Sequence, residues 1–189
     1  DEHGTYILNS RDLRAVEHVQ QLVALGVSSL KIEGRTKSPY YVARTCQSYR
    51  RAIDDAVAGR DFDPRLLGEL EGLANRGYTS GFYQRHATPA HQNYLRGHSE
   101  SGRSLLVGEV IATDPARARV RIEVKNRFAA SDRLEFVMPH ATVVQAAGAL
   151  EDDDGITLDH VAGSGRQVWL AGPPGLTDGM PCFVTRLLQ

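Results

Sequence analysis

At 189 residues, 41% apolar and 24% charged, the chain has the composition of an ordinary globular protein and length for one or two cored domains. A formal net charge of -1 exerts no overall pull towards nucleic acid or membrane, so any such partner must be argued from local patches. No apolar run is long enough to cross a bilayer and no signal-peptide pattern opens the chain, which points to the cytoplasm and to no membrane partner.

Cys46 and Cys182 lie far apart with no CxxC spacing, which makes neither a disulfide framework nor a metal cage. The opening "DEHGTYILNS" lacks Met and runs straight into a strand-like stretch, as expected of a piece of a longer protein.

In chain order, Ser10 is placed to cap a helix whose apolar positions Leu13, Val16, Val19, Leu22 and Val23 share one face, with Gly26 at its left-handed end. Residues 27–33 read as a short strand. Ser38 and Pro39 then start a long helix running to about Ala58 and closed by Gly59. Asp63 and Pro64 repeat the start signal for a third helix, carrying Leu66, Leu70 and Leu73 and ended by Gly77. Helices alternating with a short buried strand predict a parallel α/β architecture.

Within "SSLKIEGR", strand alternation sends Leu30 and Ile32 to one face and Lys31 and Glu33 to the other. In a parallel barrel the charged face projects into the lumen, at the mouth where such folds keep their active sites, and Gly34 lets the backbone turn there. Lys31, Glu33 and Arg35 are therefore the candidate catalytic residues, with Lys37 behind them. The alternative is that Lys31 and Glu33 merely neutralise one another at the rim. Arg35, Lys37, Arg44, Arg50 and Arg51 precede any acidic residue of the helix and suit an anionic ligand such as phosphate. For Arg50 and Arg51 a solvated face balanced by Asp54 and Asp55 is an equal reading.

Residues 75–98 contain Arg76, Arg85 and Arg96 with Tyr78, Phe82, Tyr83 and Tyr94 and no carboxylate. Arginines for phosphates and rings for unstacked bases make these the candidate RNA-binding residues. The same aromatics could instead plug a junction between domains. His86, His91 and His98 have irregular spacing without cysteine, and no metal site is expected.

From Ser104 the pattern becomes short strands broken by Asp-Pro, Gly and Pro: "SLLVGEVIAT", "ARVRIEV", "DRLEFVM", "ATVVQAA", "GITLDHV", "RQVWLAG" and "PCFVTRLL". They predict a small β-barrel, with "EDDDG" as a solvated hairpin loop and Trp169 in the core rather than as a stacking platform. The expected fold class is thus α/β plus all-β: residues 1–98 as the C-terminal strand and helices of a (β/α) TIM-like barrel with a linker, and residues 104–189 as a small β-barrel domain.

"YILNSRDLRAVEHVQQLVALGVSSLKIEGRTKSPYYVARTCQSYRRAIDD", "LEGLANRGYTSGFYQRH" and "QNY", with "VKNRFAASDRLE" further on, resemble the C-terminal part of the collagenase-like peptidases, family thirty-two of the unassigned (U) peptidases. The resemblance covers nearly the whole chain. It implies a part of a tRNA-modifying enzyme that installs the 5-hydroxyl of the wobble uridine, with prephenate and an iron–sulfur cluster, the partners being tRNA and the N-terminal half of the same protein. The family's cysteine-rich motifs lie upstream of Asp1, and Cys46 falls on none of them, so the cluster ligands are expected outside this chain. Carried over are the "KIEGR" mouth and the following "KSPYY", Lys37 to Tyr41, with Lys31, Glu33 and Arg35 as catalytic candidates and Gly34, Lys37 and Tyr40 as cofactor-binding candidates; the resemblance does not assign their individual roles. Two alternatives are a collagenase-like peptidase, for which no GxSxG, HExxH or paired Cys/His is seen, and a non-catalytic RNA-binding module.

Overall fold

The computed structural model describes residues 11–83 and 104–188. The chain divides into two compact units, residues 1–102 and 103–189.

The first unit is helical around one small parallel pairing. β1 (Asp12–Leu13) runs alongside β2 (Tyr78–Thr79), with Asp12 N–H donating to the Gly77 carbonyl at 2.9 Å and Arg14 N–H to that of Thr79 at 2.9 Å. That pairing claims residues expected to be helical. The first helix is accordingly shorter than its periodicity predicts: a 3-10 turn (Val16–His18) leads into α1 (Val19–Ala24), and Leu13 is exposed. Its end is as the sequence demands, with Gly26 at φ +79° and the Val27 N–H closing on the Leu22 carbonyl at 3.1 Å.

α2 (Pro39–Val57) starts where the Ser38 hydroxyl accepts the Tyr41 N–H at 3.2 Å, with proline in the first turn. It buries Tyr40, Arg44, Thr45, Gln47, Ser48 and Ala52 and stops at Gly59, φ +69°. α3 (Arg65–Glu71) ends at Gly72, well before Gly77. The Asn75 side chain is the reason: its amide donates to the Leu73 carbonyl at 2.7 Å and its oxygen accepts the Gly77 N–H at 2.8 Å, so a local turn displaces the helix.

Residues 27–33, expected as a barrel strand, form no strand, and Val27, Lys31, Ile32 and Glu33 are exposed. A parallel strand takes its hydrogen bonds from neighbours on either edge, and the described residues supply none to residues 28–33, Val27 N–H being used to close α1. Together these elements make a mixed helical unit, and the described residues do not by themselves form a TIM-like barrel.

The second unit is a large antiparallel sheet wrapped on one core. Its strands are β3 (Ser104–Asp114), β4 (Arg119–Val124), β5 (Phe128–Ala129), β6 (Arg133–Val137), β7 (Thr142–Ala146), β8 (Leu150–Glu151), β9 (Thr157–Leu158), β10 (His160–Val161), β11 (Gln167–Ala171) and β12 (Phe183–Leu187). Eight of them pair in the order β7-β6-β12-β3-β4-β11-β8-β9, and β10 pairs separately with β5. The stretch "GITLDHV", expected as one strand, is therefore split between two sheets.

Strand alternation builds the core. Val120, Ile122 and Val124 of β4 and Val168 and Leu170 of β11 point inwards to Phe136, Leu150 and Val184; each such burial contributes about 1.5–3 kcal/mol. Trp169 lies on the opposite face. It is half-buried, with the Arg121 guanidinium 5.8 Å above its ring, and it does not join the core as expected, because Val168 and Leu170 hold the inward positions. Arg121 also pairs with Asp153, and Arg119 with Glu151. The "EDDDG" stretch is a turn between β8 and β9, in which the Asp152 carboxylate accepts the N–H groups of Asp154 and Ile156 at 3.0 and 2.8 Å.

β3 and β4 approach closely at Gly108, where a β-carbon would lie 2.3 Å from Ile122 Cγ2 and 2.6 Å from the Glu123 carbonyl oxygen. Backbone cannot yield as a side chain does. Gly108→Ala is expected to destabilise this unit by about 1–3 kcal/mol through overpacking, read as a lowered midpoint in thermal unfolding; an unchanged midpoint contradicts the close approach.

Candidate functional site

The first unit holds a cavity of about 500 Å³ lined chiefly by residues from four parts of its sequence. Asp12 and Arg14 come from β1 and its exit, Lys31 and Glu33 from the extended stretch, and Lys37, Tyr41, Thr45 and Tyr49 from the start and one face of α2. Tyr78 and Tyr83 close it from the segment after α3.

Its wall contains an ion pair. Lys37 Nζ stands 2.7 Å from Asp12 Oδ2, with side chains only 21% and 18% exposed, and over the Tyr41 ring at 4.6 Å. The Tyr41 hydroxyl donates to the same Asp12 oxygen at 3.5 Å. Burial, and then the Asp12 charge, pushes the Tyr41 phenol up to about 12. Tyr78, which donates to the Leu70 carbonyl at 2.7 Å, is raised further, by burial first and Tyr41 second. Tyr49 is raised mainly by burial, and its oxygen accepts the Ala15 N–H at 2.8 Å. At neutral pH these phenols are neutral hydrogen-bonding groups and cannot serve as bases.

Arg14 stacks on the Tyr78 ring at 4.9 Å and is shared by Glu17 and Glu71, each at 3.4 Å. His18, nearly buried, stacks on Tyr83 with centroids 5.2 Å apart and planes inclined by 17°.

Of the residues singled out from sequence, Lys31, Glu33, Lys37, Tyr78 and Tyr83 meet in this cavity. Lys31 and Glu33 are at its exposed rim, 3.6 Å apart. Arg35 and Arg76 are exposed and do not line it, and Tyr40 is buried outside it. Gly34 has ordinary backbone angles, its carbonyl accepting the Lys37 N–H at 3.0 Å, so the turn there does not require glycine. Phe82 is exposed and outside the cavity. Arg85, Tyr94 and Arg96 lie outside the described residues.

The basic start of α2 is largely compensated. Arg50 pairs with Asp54 at 2.7 Å, Arg51 with Glu69 at 2.7 Å, and Arg44 is buried against Gln47 at 2.9 Å. Asp12, Arg14, Thr45 and Tyr49 escaped sequence reasoning, while Tyr41 entered it only within the carried-over "KSPYY". A signal existed for Thr45 and Tyr49: with Tyr41 they recur every fourth residue and so share one helix face.

The implied cofactors find no fit here. An iron–sulfur cluster needs thiolates, whereas Cys46 is exposed on α2 and burial in the second unit pushes the Cys182 thiol up to about 12. Among the described residues no group of three His, Cys, Asp or Glu side chains is placed to hold a metal ion. A dicarboxylate such as prephenate meets a cavity whose cations already face carboxylates.

Comparison with known proteins gives the class. A family model for "Peptidase family U32" matches residues 1–93, and one for "Peptidase family U32 C-terminal domain" matches residues 103–180. The chain belongs to peptidase family U32. Within it, the chain is similar to tRNA hydroxylation protein P of Escherichia coli (49% identical over 176 residues, 93% of this chain and 39% of that protein). It is also similar to the protein of the same name from Haemophilus influenzae (48% over 173 residues, 92% and 38%). A crystal structure described as the C-terminal domain of a Geobacillus thermoleovorans U32 peptidase matches at 22% identity and TM-score 0.39, covering 44% of this chain and 92% of that one. The chain spans about two fifths of the length of these curated relatives.

Two tests follow from the ion pair. Lys37→Met strands a half-buried carboxylate and is expected to cost about 1–3 kcal/mol, while the double variant with Asp12→Asn costs less than the sum of the singles; additive costs in denaturant titrations contradict a coupled pair. Because the Tyr41 phenol is raised above its ordinary 10.0, its contribution is full below pH 10 and lost as pH rises towards 12. The stability of Tyr41→Phe should therefore fall less steeply than wild type across that window.

Proposed function

We propose that the protein containing this chain hydroxylates the wobble uridine of tRNA at C5 and that the cavity of the first unit belongs to its tRNA site. One observation carries the reading. Two stretches singled out independently, the charged "KIEGRTK" and the Arg/aromatic run after residue 75, converge on a single cavity through Lys31, Glu33 and Lys37 on one side and Tyr78 and Tyr83 on the other. The relatives' printed names support it.

In this reading the helical unit completes a TIM-like barrel with chain outside the described residues, residues 27–33 gain their strand partners there, and the second unit is a small β-barrel. Prephenate and the iron–sulfur cluster are held by that remaining part. Arg76, Phe82, Arg85, Tyr94 and Arg96 extend the RNA contact beyond the cavity, and Arg35, without an acidic partner among the described residues, faces the phosphates. The protein works in the cytoplasm, with its tRNA. The peptidase reading draws on the family's name and on the protease and collagenase names of less similar relatives, while Cys182, a buried neutral thiol at neutral pH, offers it no nucleophile.

Nucleoside mass spectrometry of tRNA tests it, in cells that lack the full-length protein and any parallel hydroxylation route. Nucleosides derived from 5-hydroxyuridine should vanish and return with wild type, and Glu33→Gln or Arg35→Ala should lower their recovery by about tenfold, the loss of one charge-assisted contact. Unchanged nucleosides on deletion contradict the function; full rescue by both variants makes these charges structural.

A further inference from the structure

The cavity's electrostatics and hydrogen bonding narrow what it can receive. Each lining cation faces a carboxylate: Lys37 with Asp12, Lys31 with Glu33, and Arg14 with Glu17 and Glu71. An anion entering here would have to displace a partner already in place, so an uncharged ligand is favoured.

Two further features specify its shape. Tyr83 is 49% exposed and lines the cavity, while His18, 7% exposed, backs it in a stack. The outer ring is thereby fixed in orientation before anything binds, and a flat aromatic ligand extends the stack. Thr45 is 7% exposed and lines the same cavity, yet its buried hydroxyl has no hydrogen-bond partner among the described residues. A buried hydroxyl without a partner is costly and rare. Its neighbours along the helix face, Tyr41 and Tyr49, both have partners.

We propose that this cavity receives one unstacked, uncharged nucleobase of an RNA strand, stacked on the free face of Tyr83 and hydrogen-bonded at its edge by the Thr45 hydroxyl. His18 is a positioning residue that acts through Tyr83. The assignment rests on the tRNA reading above and deepens it: the phosphates contribute affinity elsewhere, and this cavity reads the base.

The test compares binding of the full-length protein to an anticodon stem-loop carrying uridine or an abasic ribose at the wobble position, across a salt series. Wild type should prefer the base by about tenfold or more, the range set by stacking on an aromatic ring. Tyr83→Ala and Thr45→Val should each bring that preference towards unity while leaving the salt slope, which counts phosphate contacts, unchanged. Thr45→Val should melt no lower than wild type, because it removes an unpartnered polar group. His18→Phe should keep the preference that His18→Ala loses.

If both Tyr83→Ala and Thr45→Val keep the wild-type preference and salt slope, the base enters elsewhere and the tRNA reading survives without this assignment. A lowered melting point for Thr45→Val makes its hydroxyl structural and overturns its role. Wild type that binds the stem-loop without salt dependence overturns both readings.

Discussion

The first unit is organised by the pairing of Lys37 with Asp12. The two residues come from the turn before a long helix and from a two-residue strand, and their 2.7 Å contact in a half-buried setting fixes the start of α2 against β1. Much of the cavity depends on that junction. With α2 anchored there, its Tyr41–Thr45–Tyr49 face turns to the cavity, and β1 in turn holds β2, from which the chain reaches Tyr83. Further along α2, Arg51 reaches Glu69 at 2.7 Å and the Ser48 hydroxyl donates to Glu69 at 3.0 Å, so the opposite end is fastened to α3 by the same kind of contact. Removing one partner of such a pair costs more than the pair itself contributes, because the remaining charge stays out of water.

The same compensation of charge bears on function. A sequence reading counts Arg35, Lys37, Arg44, Arg50 and Arg51 as a basic helix start suited to an anion; the folded chain has already assigned all but Arg35 to partners among the described residues. The neutral phenols, the stacked His18–Tyr83 pair and the unpartnered Thr45 hydroxyl are what remain available in the cavity. Recognition by ring face and ring edge, rather than by net charge, is the chemistry these groups offer, in keeping with a chain of nearly zero net charge.

What could be read from sequence was whatever local chemistry decides. Ser38-Pro39 and Gly59 bracket α2, Gly26 ends α1, and the alternation of "ARVRIEV" and "RQVWLAG" gives the inward faces of β4 and β11. What could not be read depended on distant partners. Asp12 and Leu13 carry a helical period but pair with Tyr78 and Thr79, more than sixty positions away. The period of residues 27–33 describes a strand, yet a strand exists only beside another. The third helix stops at Gly72 because of the Asn75 side chain, a three-residue turn that leucine spacing conceals. At the cavity, the charged residues were visible because charges are unusual at a strand end, and the face that continues from Tyr41 to Thr45 and Tyr49 was missed because aromatic residues on a helix ordinarily mean core.

The central claim is that a base of tRNA enters the cavity built around Asp12 and Lys37. The most direct measurement is photocrosslinking of an anticodon stem-loop carrying 4-thiouridine at the wobble position to the full-length protein, with the adducts mapped by mass spectrometry. The account predicts adducts on Tyr83 and its cavity neighbours, lost when unlabelled stem-loop competes. Adducts confined to the second unit, with none on a cavity residue, would contradict it.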